Sequence, residues 1–176
     1  MKTIKRITRI ITLTLTALLA LILLFHVALY IKRAATDQVC PTVFGLTSAV
    51  VISGSMAPEI NVNDYVLAMA QKEYEPGQTI IYAGKTRSVT HKLQSVYTDE
   101  NGQKWAIAQG IANNTADDPI PYEAIVGRII LVIPGVGSLQ EFFAKPTGFL
   151  ILTLAVVVLL LLPELLRFLQ PRGKSS

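Results

Sequence analysis

Residues that build covalent or metal frameworks are scarce in this chain. One cysteine, Cys40, and two histidines, His26 and His91, stand among 176 residues. Cys40 has no intrachain partner, so no disulfide framework is expected. The three positions also lack ligand spacing, which excludes a metal site built on Cys and His. Charge is sparse and unevenly placed. Residues 34–147 carry seven Lys/Arg against eleven Asp/Glu, a net −4, so the formal +4 of the whole chain comes from its two flanks. A basic nucleic-acid-binding face is therefore excluded. There is no internal repeat and no long linker, so what remains is two apolar ends and one compact middle.

The apolar ends read as membrane segments. Residues 10–31 contain no Lys, Arg, Asp or Glu; as a helix they reach about 33 Å, against a hydrocarbon core of about 30 Å. A cleavable signal peptide has an apolar core of about 7–15 residues and a small-residue cleavage site, whereas this run is longer and ends in Lys32-Arg33, so it is expected to remain as an anchor. The second run, 149–162, meets Pro163-Glu164 after 14 residues. It spans the bilayer when the helix continues through Leu165, Leu166, Phe168 and Leu169, giving a predicted transmembrane helix over 149–169. Lys2, Lys5, Arg6 and Arg9 precede the first span, and Arg167, Arg172 and Lys174 close or follow the second. They outweigh Lys32 and Arg33 on the opposite side, which places residues 1–9 and the tail 170–176 in the cytoplasm and the middle outside it. His26, near the outer end of the first span, is expected to meet the interface or a helix partner.

The middle, residues 34–147, alternates apolar runs with turn signals, the pattern of a small, mainly β domain. Strands are expected at 49–52, 65–70, 79–82, 88–97, 105–109 and 125–133. Asp99-Glu100-Asn101-Gly102 reads as a hairpin turn, Asp64 as a turn residue, Gly127 as a bulge or close backbone approach, and Ser138 as the cap of a short helix through Phe143.

Three short stretches carry candidate chemistry. Ser53-Gly54-Ser55-Met56-Ala57-Pro58 follows the apolar run Ala49-Val50-Val51-Ile52 and presents a hydroxyl where Gly54 lets the backbone approach closely. Val89-Thr90-His91-Lys92 offers a base: a neutral imidazole accepts a proton near physiological pH. Gly110-Ile111-Ala112-Asn113-Asn114-Thr115-Ala116-Asp117-Asp118 supplies carboxylates. Separately, each has an ordinary structural meaning: a Ser-Gly turn, a half-buried strand histidine, a surface Asp-Asp-Pro turn. Together, in this order, they resemble the type I signal peptidases of the endoplasmic-reticulum type, the Ser-His-Asp branch also found in archaea and Gram-positive bacteria.

The resemblance covers most of residues 45–137 and the first anchor. It implies a small β-rich catalytic domain between two transmembrane helices, in a multi-pass protein of the cell membrane with its catalytic domain on the extracytoplasmic side. It also implies a serine endopeptidase that removes signal peptides from exported preproteins after small-x-small sites, without a cofactor. Its partners would be those precursors and the lipid bilayer, with any accessory subunits unspecified. Ser55 matches the family's nucleophile, His91 its base, and Ser53 the hydroxyl thought to join the Ser55 amide in the oxyanion hole. Thr90-His91-Lys92 stands where the family has Thr-His-Arg or close variants. Asn63-Asp64-Tyr65-Val66-Leu67 and Ile125-Val126-Gly127-Arg128-Ile129 match further family strands. One departure matters, because Ile111 occupies a position where the family carries an Asp. Of the remaining carboxylates, Asp118, four residues after Asn114, is the expected partner of His91, with Asp117 the close alternative. Two other readings stand beside this one: a Ser-Lys protease with Lys92 as base, and a catalytically impaired or non-enzymatic membrane-anchored module of the same fold.

Overall fold

The computed structural model describes residues 2–36 and 38–169. The chain divides into two compact units, one formed by residues up to 27 together with those from 142 onward, the other by residues 28–141.

Most of helix α1 (Lys2–Thr36) belongs to the first unit, and it runs beyond both ends of the apolar stretch read from the sequence. Its segment Ile10–Thr36 is long and apolar enough to cross a membrane. Ile10, Ile11, Leu13, Leu18, Leu21 and Leu24 stand exposed along it, and burying such side chains in hydrocarbon is favourable. Its polar side chains satisfy themselves locally. The Thr16 hydroxyl donates to the Thr12 carbonyl at 2.8 Å, and His26 Nδ1 donates to the Ile22 carbonyl at 2.8 Å. Helix α2 (Gly137–Ala144) precedes α3 (Pro146–Leu169), and α3 continues through Pro163. The tail 170–176, with Arg172 and Lys174, lies outside the described residues.

The second unit is one antiparallel seven-stranded sheet curled into a half-barrel. Its strands are β1 (Leu46–Val50), β2 (Tyr65–Met69), β3 (Thr79–Ala83), β4 (Ser88–Thr98), β5 (Lys104–Gln109), β6 (Ile120–Pro121) and β7 (Ile125–Ile133). They lie side by side in the order β1, β2, β7, β3, β4, β5, β6. Alternation of apolar and polar residues sets which face of each strand is buried. Ile80 and Tyr82 of β3, Leu93 of β4, Ala106 and Ala108 of β5 and Ile125 of β7 pack with Tyr74 into one cluster. Met56, Ile60 and Val66 form a second. Val66, Ile80 and Leu93 are entirely removed from solvent, each contributing about 1.5–3 kcal/mol of transfer free energy. Gly127 sits beside the slip in the β3–β7 register, and a Cβ there would lie 2.8 Å from the Met69 backbone, so the expected close approach is present.

Several sequence expectations shift. The first strand is Leu46–Val50, not 49–52, because the Phe44-Gly45 turn, both residues at positive φ, starts pairing early. Ile52 then leaves the sheet and is 61% exposed. The two-residue β6 was not foreseen; Pro121 cannot donate to the ladder and the segment reads as loop. The Asp99 hairpin forms with Gly102 alone at positive φ. Asp99 carboxylate oxygens accept from the Trp105 indole and from the Gln103 and Asn101 amides, which hold the carboxyl below its usual range. Ser138 does not cap α2. Asn63 does: its Oδ1 accepts from the Ser138 amide at 2.6 Å while its Nδ2 donates to the Gly135 carbonyl. Beside it the buried Asp64 accepts from the amides of Asn61 and Gly135. Its expected turn therefore also ties the segment before β2 to the end of β7.

Candidate active site

His91 lies in the middle of β4, opposite Ile80 of β3. Residues paired across a ladder share a face, so His91 points with Leu93 and Ile80 into the buried side, and only 6% of it is exposed. On the same face, two residues along β3, stands Tyr82, its ring edge-on to the imidazole at 6.4 Å between centroids.

The carboxylate comes from the segment leading into β6. The Asp117 amide donates to the Ala108 carbonyl at 2.8 Å, fastening this segment to β5. Side chains alternate along an extended chain, and with Asp117 turned inward Asp118 faces solvent. His91 Nδ1 meets Asp117 Oδ2 at 2.5 Å, and the Tyr82 hydroxyl donates to the same oxygen at 2.8 Å. The expectation for Asp118 is thus corrected: Asp117, the alternative, is the residue brought to His91. With Nδ1 carrying the proton toward a carboxylate, Nε2 is left as an acceptor. It lies 3.1 Å from Ser55 Oγ. Burial first, and then the hydrogen bond and charge of Asp117, push the Tyr82 phenol well above its ordinary range, so it remains a donor.

Ser55 belongs to the loop between β1 and β2. Its neighbour Met56 is almost wholly buried between Ile60 and Val66, which seats the loop against the second core cluster. Turn bonds run from the Ala57 amide to the Gly54 carbonyl and from the Ile60 amide to the Met56 carbonyl, both 3.0 Å. The Ser55 carbonyl accepts from the Ala112 amide at 2.9 Å. Gly110 makes this approach possible, since a Cβ there would lie 2.6 Å from the Ser55 carbonyl oxygen and 2.9 Å from Ser55 Cβ. Ser53 Oγ is 3.3 Å from Ser55 Oγ.

A groove of about 290 Å³ opens in front of these groups, with Ala49 to Ser53 along one wall and Arg87 to His91 along the other, and Met56 and Asn113 beside Ser55. Both walls offer free backbone. β1 is a sheet edge, and pairing between β4 and β5 begins only at Lys92. A larger cleft of about 380 Å³ between Glu59, Gln78, Lys92 and Arg128 is lined by neither Ser55 nor His91.

Lys92 projects to the face opposite His91 and its Nζ bonds Glu59 Oε1 at 2.9 Å, so the structure does not bring it to Ser55. Ile111 sits in the Gly110 turn, 37% exposed. Cys40 lies 3.4 Å from the Thr47 hydroxyl, and burial raises its thiol. Sequence reasoning missed Tyr82 and Asn113. Tyr82 could have been found by pairing the expected strands 79–82 and 88–97 as a hairpin, because that register sets the two rings on one face; Asn113 carries no periodic signal. No family model matches the chain and no curated protein matches it.

Proposed function

We propose that this protein is a membrane-anchored serine endopeptidase of the type I signal peptidase kind, which removes signal peptides from exported precursors after small-x-small sites. One observation carries the reading: an uninterrupted chain of hydrogen bonds from Ser55 Oγ through both nitrogens of His91 to Asp117. Nucleophile, base and a carboxylate orienting that base are what amide hydrolysis by serine requires.

In acylation the Ser55 Oγ attacks the scissile carbonyl carbon as its proton passes to His91 Nε2. Asp117 keeps the proton on Nδ1 and stabilises the imidazolium. The developing oxyanion meets the Ser53 hydroxyl and the Ser55 amide, and one such donor is typically worth about 3 kcal/mol in the transition state. His91 then delivers the proton to the leaving amine, the C–N bond breaks, and the signal peptide is left as an ester on Ser55. Water, deprotonated by the same imidazole, hydrolyses the ester and restores Ser55. The reaction needs no cofactor, because every proton and electron pair moves through these side chains and water.

Substrate recognition follows from the groove. An extended segment entering between residues 49–53 and 87–91 finds unpaired main chain on both sides, so strand addition supplies affinity with little dependence on sequence. Selection for small residues falls to the shallow apolar wall of Ala49, Val51, Met56 and Val89, where a bulky side chain has no depth to enter. The positive charges at both termini favour cytoplasmic ends and an extracytoplasmic catalytic unit. As a second span, α3 offers 24 residues, or about 36 Å of helix.

The test uses the full-length protein in detergent or liposomes with a preprotein carrying an Ala-x-Ala site. The expected result is one cut after that site by the parent, and none by Ser55→Ala at an unchanged melting temperature, since losing one oxygen removes covalent catalysis but little packing. An inactive parent, or an active Ser55→Ala, overturns the reading and leaves a non-enzymatic module.

A further inference from the structure

Tyr82 is a buried polar group in contact with the catalytic set, yet the catalytic steps above leave it without a part. It is 5% exposed, sits on β3 beside His91, and spends its hydroxyl on Asp117 Oδ2, the oxygen that also receives His91 Nδ1. A phenol buried among Ile80, Leu93 and Ala106 loses its hydrogen bonds to water on folding, and such a group persists where its partner compensates the loss. Phenylalanine would fill the same space without that demand, so the hydroxyl marks a use for the hydrogen bond itself.

We infer that Tyr82 is a positioning residue for peptide hydrolysis, which acts on His91 through Asp117 by fixing the carboxylate and sharing the lone pairs of its Oδ2. This rests on the proposed serine endopeptidase. A carboxylate reached by one extended segment can turn about its Cα–Cβ and Cβ–Cγ bonds. Two donors converging on Oδ2 from different strands leave it one orientation, the one in which Nδ1 is the protonated nitrogen and Nε2 faces Ser55. The second donor also draws charge from Oδ2, so the pull on the Nδ1 proton is moderated. Tyr82 touches neither the groove nor Ser55 and moves no proton, since the phenol is held protonated by burial and by the adjacent carboxylate. The titratable and charged groups facing His91 are Tyr82 from β3 and Asp117 from the segment before β6. Arg87 stands at the far end of the groove wall, and Lys92 is turned to the other face.

The sign of the effect follows. Without the phenol the carboxylate stabilises the imidazolium more strongly, so the acidic limb of the kcat/KM profile moves to higher pH. Freed to turn, the carboxylate also holds the productive tautomer for less of the time, and kcat falls about tenfold with KM within about twofold, the loss expected when one hydrogen bond to a charged group is removed. Tyr82→Phe in the full-length protein is the variant, because it keeps the ring against the imidazole. In a Ser55→Ala background, whether or not any precursor is cleaved, the low-field proton resonance of His91 Nδ1–H should move when Tyr82→Phe is added. In an Asp117→Asn background Tyr82→Phe should cost nothing further. A kcat loss with the pH limb and the resonance both unmoved, or additive losses in the double variant, would overturn the inference. Should Tyr82→Phe not fold, ultraviolet titration of Asp117→Asn decides: one tyrosine must ionise at lower pH than in the parent, and an unchanged titration overturns the coupling. If the parent proves inactive while the resonance shifts, the endopeptidase reading fails and the hold of Tyr82 on Asp117 stands.

Discussion

The two halves of the candidate site are held in place by different means. His91 is set by sheet register: it occupies the middle of β4, pairs with Ile80, and has Tyr82 and Asp117 on the same buried side. Moving it requires breaking strand pairing, a cooperative event. Ser55 occupies a loop whose neighbours Ser53 and Gly54 are exposed, and its position depends on the buried Met56, two turn bonds and the clasp from Ala112. The histidine is therefore built into the fold, while the serine is leaned against it. Substitutions on the histidine side should alter chemistry with geometry intact, and those on the serine side should alter geometry with chemistry intact. A loop serine is also reached from the groove, which a serine in the middle of a strand would not be.

The largest effect expected on the histidine side is that of Asp117→Asn. The amide keeps the shape of the carboxylate but presents a donor or a neutral acceptor to Nδ1, favours the wrong tautomer and no longer stabilises the imidazolium. Comparable changes in Ser-His-Asp triads cost about four orders of magnitude in kcat. The same change at Asp118, exposed and turned away, should leave turnover within about twofold, as surface substitutions usually do. Single-turnover cleavage rates of the two variants compare the adjacent positions directly. The opposite ranking would transfer the role to Asp118.

On the serine side the corresponding probe is Gly110→Ala. The added methyl would meet the Ser55 carbonyl oxygen at 2.6 Å and Asn113 Nδ2 at 2.8 Å, so the Ser55 loop or the Gly110 turn has to shift. Displacement of a reacting group by about 1 Å costs about 100-fold in rate, while both core clusters remain packed. We expect kcat to fall by about that factor, with the pH profile unchanged. A profile that moved with the rate would mean that the serine loop also sets the state of the base, and the division drawn above would fail.

The same division explains what the sequence discloses. β2, β3, β4, β5 and β7 lie within a residue or so of expectation, and Ile125–Ile133 matches at both ends, because alternating burial leaves a period of two in the sequence. Ser55 and His91 are legible from motifs, one beside an apolar run and one inside a strand. Positions governed by contacts distant in sequence are not legible. Nothing local distinguishes Asp117 from Asp118; the bond from the Asp117 amide to Ala108 does. The α2 cap comes from Asn63, 75 residues before Ser138. Ile52 looks like strand because Val50-Val51-Ile52 is apolar, yet the chain leaves the sheet there to reach the serine loop. An exposed isoleucine at the mouth of the groove is a local rule broken where the site is built.

The smallest effects are expected at the two residues that first suggested other readings. Lys92 and Glu59 form an ion pair with 31% and 53% of their side chains exposed, and water screens such pairs to about 0–1 kcal/mol. Lys92→Ala should therefore cost at most that in stability and leave turnover within about twofold; a dead variant would install Lys92 as the base. Ile111→Asp restores the carboxylate that the resemblance expects. Position 111 is exposed in a turn, however, and His91 Nδ1 is already engaged by Asp117. A second carboxylate there has no vacant donor on the imidazole to accept from, and the solvent around it screens its charge. Cleavage rates should change by less than about twofold in either direction. A tenfold gain would show that Asp117 alone does not complete the support of His91, and that the histidine half of the site is less finished than its strand register suggests.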